Sequence, residues 1–128
     1  MAVPPVDLGT SDSARTVLRS FFKVATAWDL SALDQETLLG VGKSTCDIWR
    51  DGEATAALPA DTLERLGYIL NIYACLHSLF RVREHADRWL RQPNNAPAFG
   101  GPPALERMLG GRLDDLKLVA DYLDAQMG

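Results

Sequence analysis

Gly40-Val41-Gly42-Lys43-Ser44-Thr45 is the first stretch whose residue types could do chemistry. It resembles the end of a phosphate-cradling loop, in which glycines let backbone N–H groups approach phosphate and lysine and a hydroxyl complete the site. That motif needs a glycine five residues before Gly42, and Thr37 stands there. It also needs a buried strand ahead of it, whereas the residues before Gly40 read as a helix. The same stretch fits a helix-turn-helix better. Leu38 and Leu39 end one helix, Gly40 makes the turn, Val41 packs beneath it, and a second helix follows with Cys46 and Trp49 on its inner face. Its outward residues are Lys43, Ser44, Thr45, Asp47 and Arg50. The two cations reach phosphate or guanine, and the hydroxyls reach phosphate or bases. Asp47 repels phosphate unless it accepts from a cytosine, and Glu36 stands where such motifs place a small buried residue. A plain helical hairpin in the core is the other reading of these residues.

Nothing else converges on catalysis. His77 and Cys75 are two residues apart on one helix, so they face different sides and do not share a metal. His85 near a helix start has no identifiable partner, and both histidines read as structural. Asp114 and Asp115 open a helix, where negative charge suits the dipole. Asp121 and Asp124 fit the wet face of that helix. Trp28, Trp49 and Trp89 are expected in the core. The expectation is a protein that is not an enzyme and takes no cofactor and no metal.

The elements that hold these residues read as all-α. Of the 128 residues 47 % are apolar, enough for one shared core. After an N-terminal tail to about Thr10, a helix starts at Ser11 or Ser13 as cap and runs through Val17, Phe21, Val24 and Trp28. Ser31 with Asp34 caps a short helix that stops at Gly40. The second helix of the motif spans Lys43 to Asp51 and ends at Gly52. A small-residue linker leads from Glu53 to Pro59. Asp61 with Glu64 reads as a capping box for a long helix. One stripe of that helix holds Leu63, Leu66, Leu70, Tyr73 and Phe80, widened by Ile69, Ile72, Leu76 and Leu79. A helix so apolar is either the centre of the core or a subunit interface. A further helix spans Glu84 to Gln92, the stretch from Pro93 to Pro103 is a loop, and Pro103 suits the first turn of a short helix through Leu105, Met108 and Leu109. The last helix runs from Leu113 to Gln126, with Leu116, Val119, Ala120 and Leu123 inward. The expected organisation is a helix-turn-helix region over 11–59 and a small helical domain over 60–128.

The net charge of −4, shared evenly by the halves on either side of Gly52, weighs against a protein whose main task is gripping phosphate. No apolar run reaches the roughly 18 residues of a membrane span. The start lacks a secretory pattern, and two cysteines without metal-like spacing fit reduced thiols in the cytoplasm.

The C-terminal half carries a more specific pattern. Trp89-Leu90-Arg91-Gln92-Pro93-Asn94 is followed by Phe99-Gly100-Gly101-Pro102, then Leu105-Glu106-Arg107-Met108-Leu109, then Tyr122-Leu123. From about Leu63 to Gly128 this resembles the toxin-binding domain of the MbcA/ParS/Xre antitoxin family. Leu30-Ser31 and the Leu38-Leu39-Gly40 turn look like the Xre-type helix-turn-helix that precedes that domain. The resemblance implies a RES-domain toxin as partner, an enzyme that degrades NAD or uses it as an ADP-ribose donor, with its active site occluded by the antitoxin. It also implies repression of the protein's own operon through operator DNA, and self-association as a homodimer or a larger hetero-oligomer with toxin. Where family members often carry a basic or polar residue after the second glycine, this chain has Pro102-Pro103. The residues that fit a toxin surface are Phe99 as an anchor, Gly100 and Gly101, which permit close backbone approach, and Arg112, Lys117, Tyr122, Gln126 and Met127 on or near the last helix; a structural Phe-Gly-Gly loop packing on Trp89, with Phe99 in the core, is the other reading. A stand-alone helix-turn-helix transcriptional regulator is the alternative.

Overall fold

The computed structural model describes residues 11–128, and the N-terminal tail read to Thr10 lies outside them. The chain is all-α. Helix α1 spans Ser11–Ala27, α2 Ala32–Leu39, α3 Lys43–Arg50, α4 Ala60–Leu79, α5 Arg83–Arg88, α6 Ala104–Met108 and α7 Leu113–Gln126, with a 3₁₀ turn at Trp89–Arg91. Ser11 and Ser13, the two cap positions expected, both fall within the span of α1.

In α1 the buried side chains are Ala14, Leu18, Phe21, Val24 and Ala25, with Trp28 just beyond the end. Their spacing of three and four residues makes one apolar stripe. The helix closes with Asp29 at φ 55°. The Leu30 amide donates to the Ala25 carbonyl at 2.9 Å and the Asp29 amide to that of Thr26 at 3.1 Å. This pairing is the Schellman closure, which satisfies carbonyls that the helix leaves open. Gly40 (φ 72°) and Gly52 (φ 79°) end α2 and α3 the same way. Ser31 caps α2 as expected: its hydroxyl accepts from the Asp34 amide at 3.0 Å, and the Asp34 carboxylate accepts from the Ser31 amide at 3.3 Å.

Helix α4 is the centre of the core. It packs on α7, α1, α5 and α2, which accounts for its buried apolar face. Its deepest face is Leu66, Ile69, Ile72 and Leu76, joined by Cys75 and by two polar residues, Thr62 and Arg65. Leu63, Leu70, Tyr73 and Phe80 of the expected stripe are only half-buried, and Leu79 is exposed. The expected capping box is absent. Pro59, with φ −57° and ψ 150°, precedes the first turn, and no side chain caps it. Asp61 therefore sits inside that turn, where its carboxylate pairs with Arg65 Nε at 2.7 Å.

Two arginines tie the N-terminal helices to the C-terminal ones. Besides Asp61, the Arg65 guanidinium donates to the carbonyls of Gly111 at 2.9 Å and Thr37 at 3.4 Å. Arg91 donates to the carbonyls of Trp28 (2.9 and 3.2 Å) and Asp29 (2.8 Å), at the end of α1 where helical carbonyls carry partial negative charge. One hydrophobic cluster contains residues from α1 to α7, so packing is continuous across the boundary between 59 and 60.

The stretch from Pro93 to Pro103 is more ordered than a plain loop. Asn94 and Gly101 exchange two backbone hydrogen bonds, at 2.9 and 2.7 Å, and close an isolated antiparallel bridge. The Asn94 side chain accepts from the Ala96 amide at 3.0 Å, fixing the turn. Pro103 stands just before α6 rather than in its first turn. Helix α7 buries Leu116, Val119, Ala120 and Leu123 as expected.

Candidate functional site

Two surfaces carry the residues singled out by sequence. The first is α2–turn–α3. Gly40 is required twice at the turn: its φ is left-handed, and a Cβ there would lie 2.7 Å from Arg65 Nε. Cys46 is fully buried and Trp49 half-buried beneath α3, and burial pushes the Cys46 thiol up from its ordinary pKa. Trp49 is thus a wall of the core rather than part of its interior, a correction to the expectation. Lys43, Ser44, Thr45 and Arg50 are exposed and Asp47 half-buried. Helical geometry puts Ser44 and Ile48 at the middle of the outward face. Ile48 is 48 % exposed and stands four residues after Ser44, a position on the outward face that its apolar type did not suggest.

The charges on this face are largely spent on each other. Lys43 Nζ lies 2.7 Å from one Asp47 oxygen and Arg50 Nη1 lies 2.8 Å from the other. Arg50 also donates to Gln35 Oε1 at 2.9 and 3.2 Å, and its guanidinium sits 5.5 Å above the Phe22 ring. The hydrogen bonds from Lys43 and Arg50 hold the Asp47 carboxyl below its ordinary pKa, and the bond to Asp47 holds Lys43 above its own. Gly40-Val41-Gly42 runs between two helices with no preceding strand, so it lacks the scaffold of a phosphate loop.

The second surface is aromatic. Trp89 from the 3₁₀ turn, Phe99 from the bridged loop and Tyr122 from α7 meet in one cluster. Phe99 packs edge-on to Tyr122 at 5.1 Å between centroids and to Trp89 at 6.1 Å, and Trp89 stacks with Tyr122 at 6.2 Å. All three rings are half-buried, so Trp89 is a surface-lining residue where a core residue was expected. The bridge between Asn94 and Gly101 presents Phe99, with Gly100 (φ 68°) and Gly101 (φ 118°) beside it. Trp89 and Tyr122 also wall a groove of about 250 Å³ with Leu79, Phe80 and Gln126. Met127, 49 % exposed, follows at the end of α7.

Arg112 and Lys117 are not brought to this cluster. Lys117 lies about 140° around α7 from Tyr122. It pairs with Asp121 at 2.6 Å, and that hydrogen bond raises its pKa. Arg112 precedes α7, roughly 20 Å along the axis from Gln126. Trp89 is the residue that sequence reasoning left out of the surface. Its place in the quoted motif was visible, but nothing in the spacing put it against Tyr122.

The remaining candidates are structural. His77 Nε2 lies 2.8 Å from Asp87 Oδ1 and its ring packs 4.1 Å from that of Tyr73, linking α4 to α5. Asp124 does more than face water: it accepts from Asn71 Nδ2 at 3.1 Å and Cys75 Sγ at 3.4 Å, joining α7 to α4. Among the described residues no three His, Cys, Asp or Glu side chains form a metal-holding group, and no helix is long and apolar enough to cross a membrane.

The sequence profile of the antitoxin Xre/MbcA/ParS C-terminal toxin-binding domain matches residues 75–128, a span that includes the whole aromatic surface. The chain carries, over 75–128, the toxin-binding domain of the Xre/MbcA/ParS antitoxin family. The match begins some way after Leu63, where the resemblance in sequence was taken to start, and it leaves α1 to α3 outside. The antitoxin is 49 % identical over 122 residues to a protein of Sinorhizobium fredii (strain NBRC 101917 / NGR234) described as uncharacterized protein y4oB, covering 93 % of this chain and 92 % of that one. That domain makes the antitoxin a binding protein whose partner is a toxin, with no catalysis of its own.

Proposed function

We propose that this antitoxin neutralises a RES-domain toxin by seating its aromatic surface over the toxin's active-site entrance and blocking NAD. The observation that carries this reading is the Trp89–Phe99–Tyr122 cluster. Three half-buried rings with an adjoining groove lie wholly inside the span matched to a toxin-binding domain. Such rings supply large contact area at little entropy cost and are the usual anchors of tight interfaces. Phe99, Gly100, Gly101, Tyr122, Gln126 and Met127 form the contact in this reading, with Trp89 added. Arg112 and Lys117 stand outside its centre. Inhibition is mass action alone, so it scales with antitoxin concentration over Kd.

The same reading has 11–59 repress the antitoxin's own operon through α3, and 60–128 hold the toxin, both in the cytoplasm. The α2–turn–α3 shape, with Ser44, Thr45 and Ile48 outward, supports it. Hydrogen exchange on the complex with the product of the neighbouring gene tests the toxin surface. Protection at 89–101 and 122–127 is expected. Protection confined to α1–α3 would refute it and favour a different docking face.

A further inference from the structure

We propose that the groove between α1 and the end of α3 grips the phosphate backbone of duplex DNA through Arg19 and Lys23. This rests on the DNA-binding reading above, and it moves the phosphate contacts off α3. Arg15, Arg19 and Lys23 recur every four residues on one face of α1, and no carboxylate occurs between Asp12 and Asp29. Together with Arg50 they line a groove of about 340 Å³ whose apolar walls are Phe22 and Trp49. Asp51 is the one carboxylate in the lining. In a chain of net charge −4 this is a concentrated positive row, and apolar walls strengthen its field.

The cations differ in what they already hold. Arg15 pairs with Asp12 and donates to the Ala54 carbonyl at 2.8 Å. Arg50 is held by Asp47 and Gln35, and Lys43 by Asp47. Arg19 and Lys23 are exposed and have no hydrogen-bond or ion-pair partner among the described residues. An anion reaching this side of the molecule therefore meets two unspent charges on α1 and none on α3. Their Cβ atoms stand roughly 6 Å apart, as one turn of helix dictates. Each strand of duplex DNA offers about one negative charge per 3.4 Å of the helix axis, so a strand running along α1 meets both. The row lies beside the last turn of α3, whose outward centre, Ser44 and Ile48, is uncharged. A duplex that receives that face needs its phosphates held from a neighbouring helix.

The test is fluorescence anisotropy of the full chain with a random-sequence duplex and with the duplex upstream of its own gene, across a salt series. Arg19→Ala with Lys23→Ala is compared with Lys43→Ala with Arg50→Ala. All four side chains are exposed, and circular dichroism melting confirms folding. Two lost phosphate contacts should lower the slope of log affinity against log salt by about 1.8, at roughly 0.9 each, and weaken binding to both duplexes by about tenfold. The α3 pair should change the slope less. An unchanged slope in the α1 variant, with wild-type binding intact, overturns the proposal and leaves DNA binding standing. A wild type that ignores both duplexes at low salt overturns both. An α1 variant that keeps duplex binding but loses the toxin also overturns it, since the groove would then hold an acidic protein segment.

Discussion

Arg65→Ala is expected to destabilise the antitoxin by about 3 kcal/mol, more than any other single charged residue. Arg65 is 9 % exposed, and its guanidinium holds three groups from three parts of the chain: Asp61, the Thr37 carbonyl and the Gly111 carbonyl. The Asp61 side chain is 55 % exposed, so water replaces its partner, and that pair contributes only about 0.5 kcal/mol. The Gly111 bond at 2.9 Å has a charged donor and contributes about 2 kcal/mol, while the Thr37 bond at 3.4 Å is long and contributes less. The stem of Arg65 also fills the space under Gly40, where a Cβ would touch its Nε, Cζ and Cδ. Urea unfolding followed by circular dichroism measures the difference, with Asp61→Asn as comparator at under about 1 kcal/mol. A loss for Arg65→Ala no larger than that for Asp61→Asn would refute the reasoning, because the carbonyl bonds across the fold would then contribute nothing.

Ser31→Ala should cost about 1 kcal/mol in the same unfolding assay, since it removes the hydroxyl that accepts from the Asp34 amide. Tyr122→Ala should weaken toxin binding by about 2 kcal/mol, near thirtyfold in Kd by calorimetry, because it withdraws the ring that touches both Phe99 and Trp89. Lys117→Ala, on another side of α7, should leave that Kd within about twofold. Asp47 has a folded pKa below its unfolded one, so its stabilising contribution is present at neutral pH and is lost as pH falls through the carboxylate range. An NMR titration should place the Asp47 carboxyl below its ordinary 3.8, and Lys43→Ala with Arg50→Ala should return it toward that value.

Helix existence was legible where apolar spacing and caps agree. Ser31 with Asp34, Gly40, Gly52 and the α7 stripe of Leu116, Val119, Ala120 and Leu123 all follow from local rules. The Asp61–Glu64 pattern misled because Pro59 already starts the helix and Arg65 draws Asp61 to itself. Arg65 and Arg91 could not be read as cross-braces, since their acceptors are backbone carbonyls 28 to 63 residues away. The proposed toxin surface was half legible: the motif residues Phe99 and Tyr122 were named, yet the meeting of both with Trp89 is tertiary. Removal of α7 suggests itself as a probe of that surface. The packing argues otherwise, because Leu116, Val119, Ala120 and Leu123 seal the buried face of α4, and a chain cut before Leu113 would lose its core along with its docking residues. Point substitutions in the aromatic cluster are the cleaner probe.

The central claim is tested most directly by titrating the antitoxin into the NAD-consumption reaction of the neighbouring gene's product. NAD loss should stop at a fixed ratio of antitoxin to toxin, and Phe99→Ala with Tyr122→Ala should move the titration to much higher antitoxin. Undiminished NAD loss at saturating antitoxin, or full inhibition by the double variant at the wild-type ratio, would contradict it.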